Sequence, residues 1–188
     1  MFSLQQLINQ QAPDQFINKC LLNTISITDP LYAVALSEFV NENPNSILIV
    51  VDRGIDSQKT HDLVKTLGME NKVLFVEGPL NSTELLHYYN LADVIADQFV
   101  LGALGSIGWE TFSCAKPLLA FINEEQYRLL YGQAPPMFNA LGHDNVKKQL
   151  EILMDEDTRK KIGNQAREWI TKYHSTELFL KKIINDVI

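Results

Sequence analysis

The 188 residues predict an α/β domain: a parallel sheet with helices on both of its faces and a helical segment at the C-terminal end. Three observations carry that expectation. Short apolar runs alternate with segments of helical periodicity, and glycine, proline, aspartate or asparagine bounds each run. The strand-like runs are apolar throughout, as in strands covered on both sides.

Residues 1–28 are the hardest to assign. FINKCLLNTISI, residues 16–27, is compatible with an opening strand, although asparagine and threonine dilute its apolar content. TDPLYAVALSEFVNENP then has Asp29 placed to cap a helix and Pro30 at its first position, with apolar residues at helical spacing through Phe39. Asn45 leads into SILIVVDRG, a buried strand stopped by Asp52 and Gly54. Ser57 is the expected cap of a second helix that Gly68 ends. KVLFVEG forms the next strand, closed by Gly78, and STELLHYYNLA the next helix, capped by Ser82 or Thr83. ADVIAD is a strand; a glycine-containing stretch leads into a helix through Glu110 and Cys114, and Lys116-Pro117 introduces the strand PLLAFI. Strands are expected to stop at Ile122. Beyond YRLLYG and the Pro135-Pro136 break, residues 143–188 read as a helical closing segment. Its helices are expected over 144–154, 157–173 and 175–187, with Gly163 a candidate interruption of the middle one. No repeat or linker divides the chain, so residues 1–188 are expected to form a single Rossmann-like domain.

Composition excludes several functions. A net charge of -7 argues against a general nucleic-acid binder, which needs a cationic face for phosphates. The basic clusters Arg159–Lys161 and Lys181-Lys182 are interleaved with acids and read as solvated helix faces; a weak peripheral membrane contact is the alternative. No apolar run reaches the roughly 18 residues of a membrane span, and the first segment lacks a secretory pattern, so a cytoplasmic protein is expected. Cys20 and Cys114 have neither disulfide nor zinc spacing and read as reduced thiols. His61, His87, His143 and His174 fall at no metal-ligand spacing. His87 reads as packing at a helix edge and His174 as a helix-junction residue. Ser106 and Ser113 do not form a Gly-x-Ser-x-Gly elbow, and no Walker motif is present.

Chemistry is concentrated in Ala92–Phe121, read as a strand, a loop holding Gly102, Gly105 and Gly108, a helix and a strand. Glycines between a strand end and a helix start let the backbone approach a ligand, and the free N–H groups of the first turn attract anions. A close-packed turn in which glycine merely admits neighbouring backbone fits the same spacing. Glu110, one to two turns into the helix, is placed to accept hydrogen bonds from a ribose diol, although a solvated surface charge is the commoner role for a helical glutamate.

That stretch resembles the donor-binding domain of GT4-like, GT-B-fold glycosyltransferases. The family's strand, glycine loop and helix end in Glu-Ala-x-Ala-x-Gly-x-Pro; here the motif reads Glu110-Thr111-Phe112-Ser113-Cys114-Ala115-Lys116-Pro117. Asp97-Gln98, Gly102 and Gly105 are similar to the Asp-Gln pattern of a bacterial and archaeal subgroup. Upstream, PLYAVALSEFVNENPNSILIVVDRG and KTLGMENKVLFVEGPLNSTELLHYYNLADV follow the family's order of elements. Downstream, Pro135–Ala140 and LMDEDTRKKIGNQAREWITKYHS resemble its closing helices.

The resemblance implies one half of a GT-B fold. In the family the residue matching Glu110 binds the donor ribose. Backbone around Gly105, Ser106 and Ile107 contacts phosphate and sugar, and the turn of Gly78, Pro79 and Leu80 lies near the base. Gly102 stands where many members have a glutamate touching the donor sugar. Where members carry an arginine and a lysine between the first strand and first helix, this chain reads Asn23–Thr28, with Lys19 the nearest cation. The implied activity is transfer of a hexose-type sugar from a nucleoside diphosphate to a glycan, lipid-linked or small-molecule acceptor, as in polysaccharide biosynthesis. No metal and no further cofactor are implied, since protein groups and helix dipoles balance the leaving diphosphate. A complete member has an N-terminal domain that supplies the acceptor site, so the expected partners are a separate N-terminal half or a second copy. The competing expectation is a non-catalytic interaction module derived from a glycosyltransferase; an epimerase half fits the glycine loop and Glu110 less well.

Overall fold

The computed structural model describes residues 18–22 and 30–187. Six strands form one parallel sheet: β1 (Asn18–Leu22), β2 (Ser46–Asp52), β3 (Val73–Glu77), β4 (Val94–Ala96), β5 (Leu118–Ala120) and β6 (Phe138–Asn139). Their order is β3-β2-β1-β4-β5-β6, all pairs parallel. From β1 the chain winds one way to β2 and β3, then crosses back past β1 to β4 and continues outward. The order reverses between β1 and β4, and crevices that hold ligands open at the carboxyl ends of the strands at such a point.

Helices α1 (Pro30–Glu42), α2 (Ser57–Thr66), α3 (Ser82–Leu91), α4 (Ser106–Ser113), α5 (Glu124–Tyr131), α6 (His143–Ile152), α7 (Glu156–His174) and α8 (Thr176–Val187) complete the described chain. Because side chains alternate along a strand, β2 feeds two cores. Leu48 and Val50 join Leu36 and Phe39 of α1, Val64 of α2 and Val146 of α6 on one face. Ile47, Ile49 and Val51 join Tyr88 and Tyr89 of α3, Phe112 of α4 and Trp169 of α7 on the other. Burial on both faces accounts for the unbroken apolar character of the run.

The structure corrects four expectations. Strands do not stop at Ile122: β6 adds to β5, and the Asn139 side chain both accepts from Ile122 N (2.9 Å) and donates to Ile122 O (3.0 Å). Ser57 is not a cap, because Asp56 holds the N-cap position and the Ser57 hydroxyl donates to Asp52 Oδ1 instead. The cap of α3 is Asn81 rather than Ser82 or Thr83; its side chain accepts from Thr83 N and Glu84 N while Glu84 accepts from Asn81 N, a reciprocal box. Gly163 does not interrupt α7. It is a contact point, where a Cβ would stand 2.1 Å from Ala115 O.

Asp29 and the side chain of Cys20 lie outside the described residues. Cys114 is a free, half-buried thiol whose pKa burial pushes up, the opposite of what a reactive cysteine requires. Lys160 and Lys181 each pair with an acid one turn earlier, Glu156 and Glu177, as on solvated helix faces. No helix among the described residues is long and apolar enough to cross a membrane.

Candidate functional site

β4 delivers two buried polar residues, Asp97 and Gln98, to the carboxyl edge of the sheet. Every hydrogen-bonding group of the Gln98 amide side chain is used locally. Its nitrogen donates to Ala103 O (2.7 Å) and Phe121 O (2.8 Å), and its oxygen accepts from Val100 N (3.0 Å) and Leu101 N (2.6 Å). The loop is pinned at two more points: Gly102 O accepts from Asn123 N at 2.8 Å, and Leu104 N donates to the Tyr127 hydroxyl at 2.7 Å.

The three loop glycines answer to different demands. Gly102 has φ +72°, a conformation that favours glycine, and bridges to Ile122. Gly108 packs, since a Cβ there would meet Leu104 Cδ2 at 2.8 Å. Gly105 caps α4 with φ -87°, and the nearest atom to a Cβ built on it is Asp97 Oδ2, 3.7 Å away. Neither backbone conformation nor packing demands glycine at Gly105. What its missing side chain leaves open is the approach to the first turn of α4, where the N–H groups of Ser106, Ile107 and Gly108 precede the first helical bond, Trp109 N to Gly105 O.

Glu110 stands exposed on this helix, and the Tyr89 hydroxyl donates to its Oε2 at 2.7 Å. Tyr89 is 2% exposed, so its ring is held by the core while its hydroxyl fixes one carboxylate oxygen. Burial, then the bond to Glu110, pushes the Tyr89 pKa well above its ordinary value, and the hydroxyl remains a donor at any physiological pH.

Ser106, Ile107 and Glu110 face Val51, Arg53, Leu80, Leu85, Tyr89 and Ala96 across a cleft of about 580 Å³, open mouth included. Of the residues singled out from sequence, Leu80, Ser106, Ile107 and Glu110 meet on its walls; Gly105 caps the helix that forms one wall. Gly78 and Pro79, joined by a cis peptide, form the turn that brings in Leu80. A Cβ on Gly78 would lie 3.1 Å from both Asp52 O and Arg53 Cβ, so glycine here permits the β3 exit to lie against the β2 exit. Sequence reasoning missed Tyr89, Arg53 and Leu85. The only available signal was that Tyr89 and Leu85, four residues apart, share a helix face.

At the β2 exit Asp52 accepts from Ser57 Oγ (2.5 Å) and pairs with His61 Nε2 (2.7 Å), while the His61 ring stacks on Phe75. Burial raises the Asp52 pKa, but the bonds from His61 and Ser57 outweigh it and the net shift is downward. His87 is exposed, and His174 ends α7 among Trp109, Tyr131 and Trp169. Among the described residues no group of three His, Cys, Asp or Glu side chains is placed to hold a metal ion.

No protein-family model matches the chain, nor does any curated protein sequence. Solved structures do. The C-terminal domain of a glycosyl transferase group 1 family protein from Francisella tularensis is 14% identical, with a TM-score of 0.65 over 86% of this chain and 88% of that one. The Anabaena protein HepE, solved with UDP-glucose, is 15% identical with a TM-score of 0.72 over 97% of this chain and 51% of that one. Sucrose-phosphate synthase from Thermosynechococcus elongatus is 18% identical with a TM-score of 0.67 over 97% of this chain and 48% of that one. The chain therefore spans about half of the last two and nearly all of the first. It has the Rossmann-like fold of a GT-B C-terminal domain.

Proposed function

We propose that this chain is a donor domain that binds a nucleoside-diphosphate sugar in the cleft beside α4, for transfer of the sugar to a glycan, lipid-linked or small-molecule acceptor. The observation that carries the reading is Glu110. Its carboxylate lies on the wall of a cleft at the carboxyl edge of the parallel sheet, oriented by Tyr89 and one to two turns from the N-terminus of α4. The solved neighbour holding UDP-glucose supports the same ligand class.

The geometry divides the ligand into parts. A carboxylate with one oxygen fixed accepts hydrogen bonds from a ribose diol, the role that the resemblance implies for Glu110. The diphosphate takes the N–H groups of Ser106 and Ile107, whose dipoles also favour the charge that develops on the leaving group. Leu80 and Leu85 offer apolar walls to the base. The acceptor and the groups that activate it belong to a second domain or chain.

The test is titration with UDP, GDP and their sugar conjugates by calorimetry, with Glu110→Ala alongside. Saturable binding that the variant weakens at least tenfold is the expected result, the size of a lost hydrogen bond to a charged group, roughly 1.5 kcal/mol or more. No binding at millimolar nucleotide by the folded chain would refute it.

One observation favours the second reading, an interaction module. Val100, Leu101, Leu129 and Leu130 are between 68% and 82% exposed on the loop and on α5, which the Leu104 to Tyr127 bond holds together. Exposed apolar side chains on neighbouring elements seek a partner. A nucleotide titration with no response, together with self-association or capture of a partner through these leucines, is its expected signature.

A further inference from the structure

The chain has four arginines, and three of them are committed within the described structure. Arg128 pairs with Glu124, Arg159 donates to the carbonyls of Leu153 and Met154, and Arg167 donates to Ser113 O. Arg53 has no ion pair or side-chain hydrogen bond among the described residues. Its neighbour Asp52, the obvious partner, has one oxygen engaged by Ser57 and the other by His61.

Arg53 also lines the cleft that Glu110 enters, the one cationic residue among the described residues that do. A diphosphate brought beside the Glu110 carboxylate, in a chain of net charge -7, meets repulsion unless a cation is present. Backbone N–H groups supply partial charge only.

The topology puts Arg53 within reach. It follows β2, whereas Ser106 and Ile107 follow β4, and β1 alone lies between those strands. At about 4.8 Å per strand spacing the two exits are about 10 Å apart, a gap that an arginine side chain and a phosphate together fill. The root of the side chain is fixed, because Gly78 packs directly against the position of Arg53 Cβ.

We infer that Arg53 is the cleft's phosphate-binding cation, reaching from the β2 exit to the diphosphate of the ligand whose ribose Glu110 takes. This rests on the nucleotide-binding reading above. A guanidinium presents paired N–H donors matched to phosphate oxygens, so the contact is directional as well as coulombic. It supplies from the second strand the positive charge that Asn23–Thr28, after the first strand, does not carry.

The experiment compares the unsubstituted chain with Arg53→Gln and Arg53→Lys, titrated with UDP and GDP by calorimetry at low and high salt. Uridine and guanosine are followed in parallel by ligand-observed NMR. Arg53 is exposed, so the variants are expected to fold, and circular dichroism verifies it. Expected is a loss of roughly tenfold or more in nucleotide affinity for Arg53→Gln with the nucleoside unaffected, a partial loss for Arg53→Lys, and weaker salt dependence in Arg53→Gln. Unchanged nucleotide affinity in Arg53→Gln overturns the inference while leaving the donor-domain reading intact. So does an equal loss for nucleotide and nucleoside, which would place the guanidinium on the base. Failure of the unsubstituted chain to bind any nucleotide overturns both.

Discussion

Gly163→Ala sets two effects of known sign against each other. In a helix interior alanine is better than glycine by about 1 kcal/mol, so the propensity of α7 improves. Against this, the new Cβ falls 2.1 Å from Ala115 O and 2.8 Å from Ala115 C, where carbon and oxygen in ordinary contact stand well over 3 Å apart. The obstruction is backbone at the turn that ends α4, and it cannot swing aside as a side chain would. Overpacking of this kind costs about 1–3 kcal/mol, and the upper end applies when the neighbour is rigid. The balance is about 2 kcal/mol of destabilisation, equivalent to a fall in Tm of roughly 4–8 °C for a chain of this size. Calorimetric or circular dichroism melts measure it. Asn164→Ala, one residue on and exposed, is the control that gains propensity without the contact. Since α7 presses on the end of the helix that carries Glu110, nucleotide affinity is also expected to fall several-fold below the melting range. A Gly163→Ala Tm equal to or above that of the unsubstituted chain would refute the reasoning.

Two further outcomes are expected. Ala115 has φ +53°, a left-handed conformation that alanine adopts at a cost, and it occupies the motif position where the resembling family has glycine. Ala115→Gly should therefore raise stability by about 0.5–1 kcal/mol, read as a Tm increase of a few degrees; a decrease would contradict it. Tyr89→Phe removes the donor that fixes Glu110 Oε2 and leaves the buried ring in place. Affinity for UDP should fall roughly three- to tenfold and affinity for 2′-deoxy-UDP less, as one charge-assisted hydrogen bond orders the carboxylate that is proposed to read the diol. An unchanged ratio of ribo to deoxy affinity would make Tyr89 a packing residue only.

How legible was all this in the sequence? Strands β2, β4 and β5 were readable because burial on both faces leaves apolar runs without alternation, and β3, at the sheet edge and only partly buried, was marked by Gly68 before it and Gly78 after it. β6 was not. Phe138-Asn139 is too short to have a period, and it is a strand because the Asn139 side chain and the exposed edge of β5 complete one another. Cap positions slipped by one residue at Asp56 and Asn81, since neighbouring polar residues are equally competent by type and only the backbone chooses among them. Glu110 was visible because a motif surrounds it. Tyr89 and Arg53 were not, as each joins the site through strand order, and nothing local in the sequence says that residues 53, 89 and 110 meet. The loop glycines, alike in the sequence, differ in the structure. Gly102 is explained by its own backbone, whereas Gly105, which nothing in the protein requires, is the one whose openness a ligand would use.

The amide of Gln98 has a consequence for how a ligand binds. Four backbone groups of the glycine loop and the β5 exit close on one buried side chain, so the loop acquires its shape when the domain folds. A nucleotide bound at α4, as proposed, would meet a preorganised seat. The conformational entropy of that loop has already been lost, and little of the binding free energy is consumed in ordering it. Association of such a ligand at this wall of the cleft would be set by diffusion and orientation, with no closing step of the loop to wait for.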